Sequence, residues 1–231
     1  MRTGNEIVLD QATGNEAEMY LDLRNLKHLV RHGEGQRLEF KMKVKFPEKI
    51  VKELVAFANS NGGHLFVGVA DDGQIEGSKF VDEDQFLLDK AISNYCFPAF
   101  SYHVYRIPLE NGRSVLVYQV FESEQKPHFV QLDSDPNPVC YVRVKDRTIK
   151  ASKEVKQILR RENEEGLSFA YGDPERWLME YLRAHEQISL SEFALQCQLP
   201  AWLASRKLVL LVLSRVLKIE PGENQDQYSL R

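Results

Sequence analysis

Two stretches of this 231-residue chain carry cations densely enough to bear on phosphate chemistry. Between residues 37 and 52, Arg37, Lys41, Lys43, Lys45, Lys49 and Lys52 outnumber Glu39 and Glu48, leaving a net charge of +4. Between 143 and 161, Arg143, Lys145, Arg147, Lys150, Lys153, Lys156, Arg160 and Arg161 face only Asp146 and Glu154, leaving +6. Arg presents a planar fork of donors to a phosphate, and Lys an adaptable point charge. A fold that gathered Arg37, Lys41, Lys43, Lys45, Arg143, Lys145, Arg147 and Lys150 would therefore make a phosphate-binding surface. The competing reading is a solvated, lysine-rich face. The whole chain has 30 Lys plus Arg against 34 Asp plus Glu, a net charge of −4, which excludes a uniformly polybasic coat and leaves a local basic face open.

A second candidate is the run Asn59-Ser60-Asn61-Gly62-Gly63. Asn59, Asn61, Gly62 and Gly63 could aim backbone donors at an anion, since glycine allows close approach and positive φ. A helix stop followed by a tight turn explains the same residues. Other chemistries have no address. His28 and His32 share a possible helix face, while His64, His103, His128 and His185 are scattered, so no zinc set is formed. Cys96, Cys140 and Cys197 are an odd count and widely spaced, which reads as reduced, packed thiols. There is no nucleophile elbow and no P-loop.

The elements that would position these residues follow from periodicity. The polar stretch Gly4–Glu18 leads into Tyr20–Val30, a short helix or extended arm. Arg37–Val44 alternates charged and apolar residues, predicting a strand whose wet face carries Arg37, Glu39, Lys41 and Lys43. Pro47 opens a helix with Ile50, Val51, Leu54, Val55, Phe57 and Ala58 on its apolar stripe. Leu65–Ala70 reads as a central strand, ended by an Asp71-Asp72-Gly73 turn. A helix over Asp82–Tyr95 and a hairpin of Tyr102–Pro108 with Ser114–Val120 follow. Short strands at Lys126–Val130 and Pro138–Val144 flank a polar loop, and Ser152 caps a helix to Arg161.

Residues 165–172 are the candidate linker. Beyond it, Asp173 and Pro174 start a helix, Ser189 or Ser191 caps a second, and Ala201–Leu213 forms a third. Ser214–Ile219 and Gln227–Leu230 complete a β ribbon, so three helices and a ribbon describe a winged helix. The chain thus divides at 1–165 and 166–231. Trp202, Leu203, Leu208, Val209, Leu211 and Val212 are more apolar than a groove-reading helix needs, which points to a local core and a homodimer contact. The amino terminus lacks a secretory pattern, and the most apolar stretch, Leu208–Leu213, is far short of the roughly 20 residues that cross a bilayer. The expectation is a cytoplasmic chain without membrane contact.

Glu34-Gly-Gln-Arg-Leu-Glu-Phe-Lys41, followed by a helix and Ala56-Phe-Ala-Asn-Ser-Asn-Gly-Gly-His-Leu-Phe-Val-Gly-Val-Ala-Asp-Asp-Gly73, resembles the signature of the Schlafen Alba-like family, described as DNA-binding or divergent ATPase-like. Glu122–Phe129 and Tyr141–Ser152 extend the resemblance to about residues 30–162, although Lys145-Asp146-Arg147 stands where relatives carry a small Gly-Ser-Ser turn. The resemblance implies an α/β fold, a Schlafen-like mixed-sheet domain followed by a small winged-helix-like domain. It also implies DNA or RNA as partner. Animal relatives include metal-dependent ribonucleases, and their acids resemble Glu34 and Glu39, with Asp71, or else Asp72, as the third. Convergence of Glu34, Glu39 and Asp71 would give magnesium or manganese a hard-oxygen site able to orient water against a phosphodiester. Otherwise Glu39 pairs with a cation across the sheet and the aspartates form a turn. The readings are a regulatory or defence-related nucleic-acid binder, a metal-dependent endoribonuclease needing Mg or Mn, and a non-catalytic homodimeric assembly module.

Overall fold

A computed structural model describes residues 22–167 and 169–231, so the Gly4–Glu18 stretch and the start of the Tyr20–Val30 segment lie outside the described residues. The described part of that segment is helix. Asp22 caps α1 (Leu23–Val30) by accepting from the Asn25 N–H at 2.7 Å, and Leu26 and Val30 are buried. Next come β1 (Leu38–Lys41), α2 (Pro47–Asn59), β2 (Gly63–Val67), α3 (Val81–Tyr95) and the two-residue β3 (Cys96–Phe97). The long hairpin β4 (Tyr102–Pro108) and β5 (Ser114–Val120) has the predicted bounds.

The main sheet has the order β1-β2-β5-β4, with β1 parallel to β2 and the remaining pairs antiparallel. Alternation along the strands supplies two cores. Leu65 and Val67 of β2 and Leu116, Tyr118 and Val120 of β5 pack against Leu54, Val55, Leu88 and Ile92 of α2 and α3. Phe40, Phe66, Val115 and Val117 point the other way, against Leu26 and Val30 of α1. Because both faces are covered, β1 has no wet face. Phe40 faces α1, so Glu39 and Lys41 must face the α2 side.

A smaller layer continues with β6 (Phe129–Val130), paired with β3, and with a hairpin of β7 (Tyr141–Val144) and β8 (Arg147–Lys150). The second arm, β8, was not foreseen from sequence. Its turn is only two residues long, with Lys145 at φ +58°, and its composition is basic rather than apolar. Ser152 caps α4 (Lys153–Arg161), its Oγ accepting from the Val155 N–H at 3.0 Å.

The remaining residues form α5 (Asp173–Ala184), β9 (Ile188–Ser189), α6 (Leu190–Gln196), α7 (Ala201–Leu213), β10 (Leu217–Glu220) and β11 (Gln227–Leu230). The three strands pair in the order β10-β11-β9 over a core of Leu178, Leu182, Ile188, Phe193, Leu208, Leu211 and Tyr228. Gly172, not Asp173, is the residue before the first turn of α5, and its N–H donates to Glu175 at 2.9 Å. This unit meets the preceding part through α4: Ser205 donates to Glu154 and Ser152 to the buried Asp226, each at 2.5 Å. Among the described residues, no helix is long and apolar enough to cross a membrane.

Candidate nucleic-acid interface

Arg143 organises the region in which the predicted site residues meet. It lies in the Val142-Arg143-Val144 stretch of β7 and is 4% exposed, with its guanidinium 5.2 Å from the centre of the Phe57 ring. Nη2 donates to Glu39 at 2.7 Å and to the carbonyls of Gly35 and Leu38 at 3.0 and 3.1 Å. Nη1 donates to Glu53 at 2.8 Å and to Thr148 at 3.1 Å, and Nε reaches Gly35 O at 3.1 Å. Thr148 also donates to Glu53. One buried cation therefore joins the loop before β1, strand β1, helix α2 and the β7–β8 hairpin. A buried charge survives only when paired and fully hydrogen-bonded, a condition this fork meets.

The two acids flanking Gly35 are held apart by this arrangement. Glu34 accepts the Phe40 N–H at 2.9 Å, a backbone donor on the outer side of edge strand β1. Glu39 is divided between Arg143 and Lys41, whose ammonium also donates to Phe40 O at 2.8 Å. Asp71 is exposed in the turn after β2, beside a cleft of about 460 Å³ that Lys27, Arg31, His32 and Asp72 also line. Burial raises the Glu34 carboxyl above its ordinary value, and the nearby charges of Glu39 and Asp71 push in the same direction. Burial and the Glu39 charge likewise raise Glu53. The three predicted acids share an electrostatic neighbourhood, but both Glu39 oxygens are already bound by cations. Among the described residues, no group of three or more His, Cys, Asp or Glu side chains is arranged to hold a metal ion. These residues as placed do not fit a divalent cation.

The expected phosphate-binding cations separate into three groups. Arg143 is spent in the interior network, and Lys41, one third exposed at its side chain, commits two of its three ammonium donors to Glu39 and Phe40 O. Lys43 and Lys45 are exposed in the loop between β1 and α2, with Lys49 exposed on the first turn of the helix, and none of the three forms an ion pair with a described residue. Lys145 and Arg147 are exposed at the hairpin tip but meet Glu220 at 3.7 Å and Glu223 at 3.0 Å at the end of β10 and the turn after it. Lys150 is exposed opposite Tyr141 in the hairpin register.

Gln36 brings the first stretch against the second. Its side-chain amide Nε2 donates to Arg143 O at 3.0 Å while its Oε1 accepts the Lys145 N–H at 2.8 Å. The neighbouring Arg37 is exposed, and its charge acts on His64, which burial first of all lowers to about 4. Gln36 escaped the sequence reading because an isolated glutamine carries no periodic signal. The lone Arg between two valines at 143 was a visible clue to a buried ion pair, as was Glu53 beside the apolar stripe of α2.

The Asn59–Gly63 run is occupied by packing. Asn59 is buried and donates to the His128 and Tyr141 carbonyls at 2.9 and 2.8 Å, while accepting the His128 N–H at 2.7 Å. A Cβ on Gly63 would come within 2.5 Å of the Phe57 ring, and one on Gly62, at φ +67°, within 2.7 Å of Val120 O. Asn61 alone is exposed. These residues tie α2 to the β6–β7 layer, which accounts for the helix stop and leaves no cradle of free donors around Asn59, Gly62 and Gly63.

Residues 34–152, just over half of the chain, match the family described as Schlafen, AlbA_2. The chain belongs to the Schlafen AlbA_2 family. The AlbA_2 span contains every residue of the Arg143 network, from Glu34 to Thr148, and ends at the Ser152 cap of α4. Among solved structures, the chain resembles the N-terminal domain of a RecG-related protein from Nitrosomonas europaea, at 22% identity and a TM-score of 0.41, over 52% of this chain and 85% of that one. It also resembles a Corynebacterium diphtheriae protein at 19% identity and a TM-score of 0.38, over 60% of this chain and 25% of that one. No curated protein matches the chain.

Proposed function

We propose that this Schlafen AlbA_2 chain binds nucleic acid without cleaving it, through phosphate contacts from Arg37, Lys43, Lys45 and Lys49, continued by Lys145, Arg147 and Lys150. The observation that carries this reading is the Gln36 and Arg143 staple, which holds the two basic stretches against one another across the top of the sheet. Polyanion affinity comes mainly from such clustered cations and the counterions they displace. The commitment of Glu39 to Arg143 and Lys41 favours binding over metal-assisted hydrolysis.

In this reading residues 1–165 form the binding domain and residues 166–231 a winged-helix-like unit that braces it through α4. The second unit sums to a net charge of −1 and directs Glu220 and Glu223 at the hairpin cations. That polarity suits a brace better than a groove reader.

The test is a fluorescence-anisotropy titration of the full chain with labelled DNA and RNA across a salt series. The expected result is an affinity whose logarithm falls linearly with the logarithm of salt and collapses when Lys43, Lys45 and Lys49 are changed together to Gln. No binding at low salt would overturn the reading. Incubation of the chain with structured and unstructured RNA and Mg²⁺ or Mn²⁺ should leave the RNA intact. Cleavage that disappears in Glu34→Gln would replace binding with catalysis.

A further inference from the structure

Phe46 is 47% exposed at the start of α2, where the buried stripe of the helix begins only at Ile50. Its side chain makes no capping bond, and Pro47 supplies the preset first turn, so the helix start does not call for an aromatic residue. The ring is flanked by two ammonium groups, Lys49 Nζ at 4.8 Å and Lys45 Nζ at 5.4 Å from its centre. Neither lysine, nor the nearby exposed Lys43, is neutralised by a described acid.

A half-exposed aromatic ring with two ammonium groups over it that form no ion pair is complementary to a flat π-system with negative charge on both sides. An unpaired nucleobase between two phosphates has that form. An apolar protein partner does not, because covering Phe46 would bury the surrounding lysines, which are depleted from protein–protein interface cores. We infer that Phe46 is a stacking platform for an unpaired base of single-stranded nucleic acid, with Lys45 and Lys49 contacting the adjoining phosphates. This rests on the nucleic-acid reading above and narrows it to single strands.

The contacts already on the ring do not block it. Base–aromatic stacking is worth about 1–3 kcal/mol against about 0.5–1 kcal/mol for each of the two exposed ammonium–ring contacts, and the lysines a base displaces keep phosphate as a stronger partner for their flexible stems. In a duplex the base faces are buried against one another, leaving phosphates as the partners of this surface.

The experiment compares the full chain with Phe46→Ala and Phe46→Trp, using a labelled single strand of about twelve nucleotides and a duplex of the same length. Unfolding midpoints confirm that the exposed substitutions leave the fold intact. Phe46→Ala should weaken single-strand binding at least about five-fold with an unchanged salt slope, and duplex binding less than about two-fold. Phe46→Trp should restore single-strand affinity, with tryptophan quenching beyond that of the parent chain. Single-strand affinity unaltered by Phe46→Ala, or an equal loss for strand and duplex, overturns the stacking inference while leaving nucleic-acid binding standing. Failure of the parent chain to bind either probe overturns both.

Discussion

The two basic stretches have similar compositions and opposite fates. In the first, Lys43, Lys45 and Lys49 are exposed between β1 and the first turn of α2 and form no ion pair with a described acid. In the second, Arg143 is drawn into the interior and the hairpin-tip cations Lys145 and Arg147 are met by Glu220 and Glu223. A formal charge of +6 thus presents less free positive charge at its hairpin than the +4 stretch does at its loop. What a polyanion meets is the charge left after internal pairing.

The sharpest way to break this contrast is to remove Arg143. Arg143→Met should lower stability by about 3–5 kcal/mol in urea denaturation, because the largely buried Glu39 and Glu53 would each lose their guanidinium partner and keep only Lys41 and Thr148 respectively. A loss below about 1 kcal/mol would mean the residue acts as a surface cation after all. Arg143→Lys should recover only part of the loss, since a single ammonium cannot reproduce contacts made from three guanidinium nitrogens.

Arg37 offers a probe of the boundary between the stretches. Unfolded, His64 takes up a proton near 6.5, whereas the folded chain refuses it until about 4, because of burial and then the Arg37 charge. Stability should therefore fall as pH drops through that window, by up to about 3 kcal/mol, and the loss should level off below about 4. Comparison with His64→Gln isolates this contribution from Glu34, Glu53 and Asp226, whose raised values act in the opposite sense. In Arg37→Gln, NMR titration should show the His64 value moving upward.

Smaller effects separate the free from the paired cations. Lys45→Gln with Lys49→Gln should weaken single-strand binding about ten-fold at low salt and reduce the salt slope by about 1.4. Glu220→Gln with Glu223→Gln should strengthen binding about two-fold by releasing Lys145 and Arg147, with stability changing by less than about 1 kcal/mol, as befits exposed pairs. An unchanged affinity would show that the hairpin tip lies outside the footprint.

Much of the architecture was legible because local signals agreed with it. Pro47 at the helix start, the Asn111-Gly112 turn between β4 and β5, and the Ser152 and Ser189 caps all act within a few residues of themselves. The wet face expected for β1 was misread because alternation reveals which residues share a face but not what covers it. Likewise, Asn59 and Gly62 have the composition of an anion loop, yet their partners His128, Tyr141 and Val120 lie 58 or more residues away. The charges of Glu39 and Asp71 both act on Glu34, but Arg143, more than a hundred residues from Glu39, decided what Glu39 binds.

By itself the sequence determined the order of the helices and of the longer strands, the family signature, and the presence of two concentrated runs of cations. Those properties depend on side-chain period, backbone preference and composition, which are local. Only the tertiary structure decided which cations are spent. Pairing depends on distances between elements remote in the chain, and burial makes an unmatched charge too costly to leave, so Arg143 is committed to Glu39 and Glu53 while Lys45 and Lys49 remain over the half-exposed Phe46 ring.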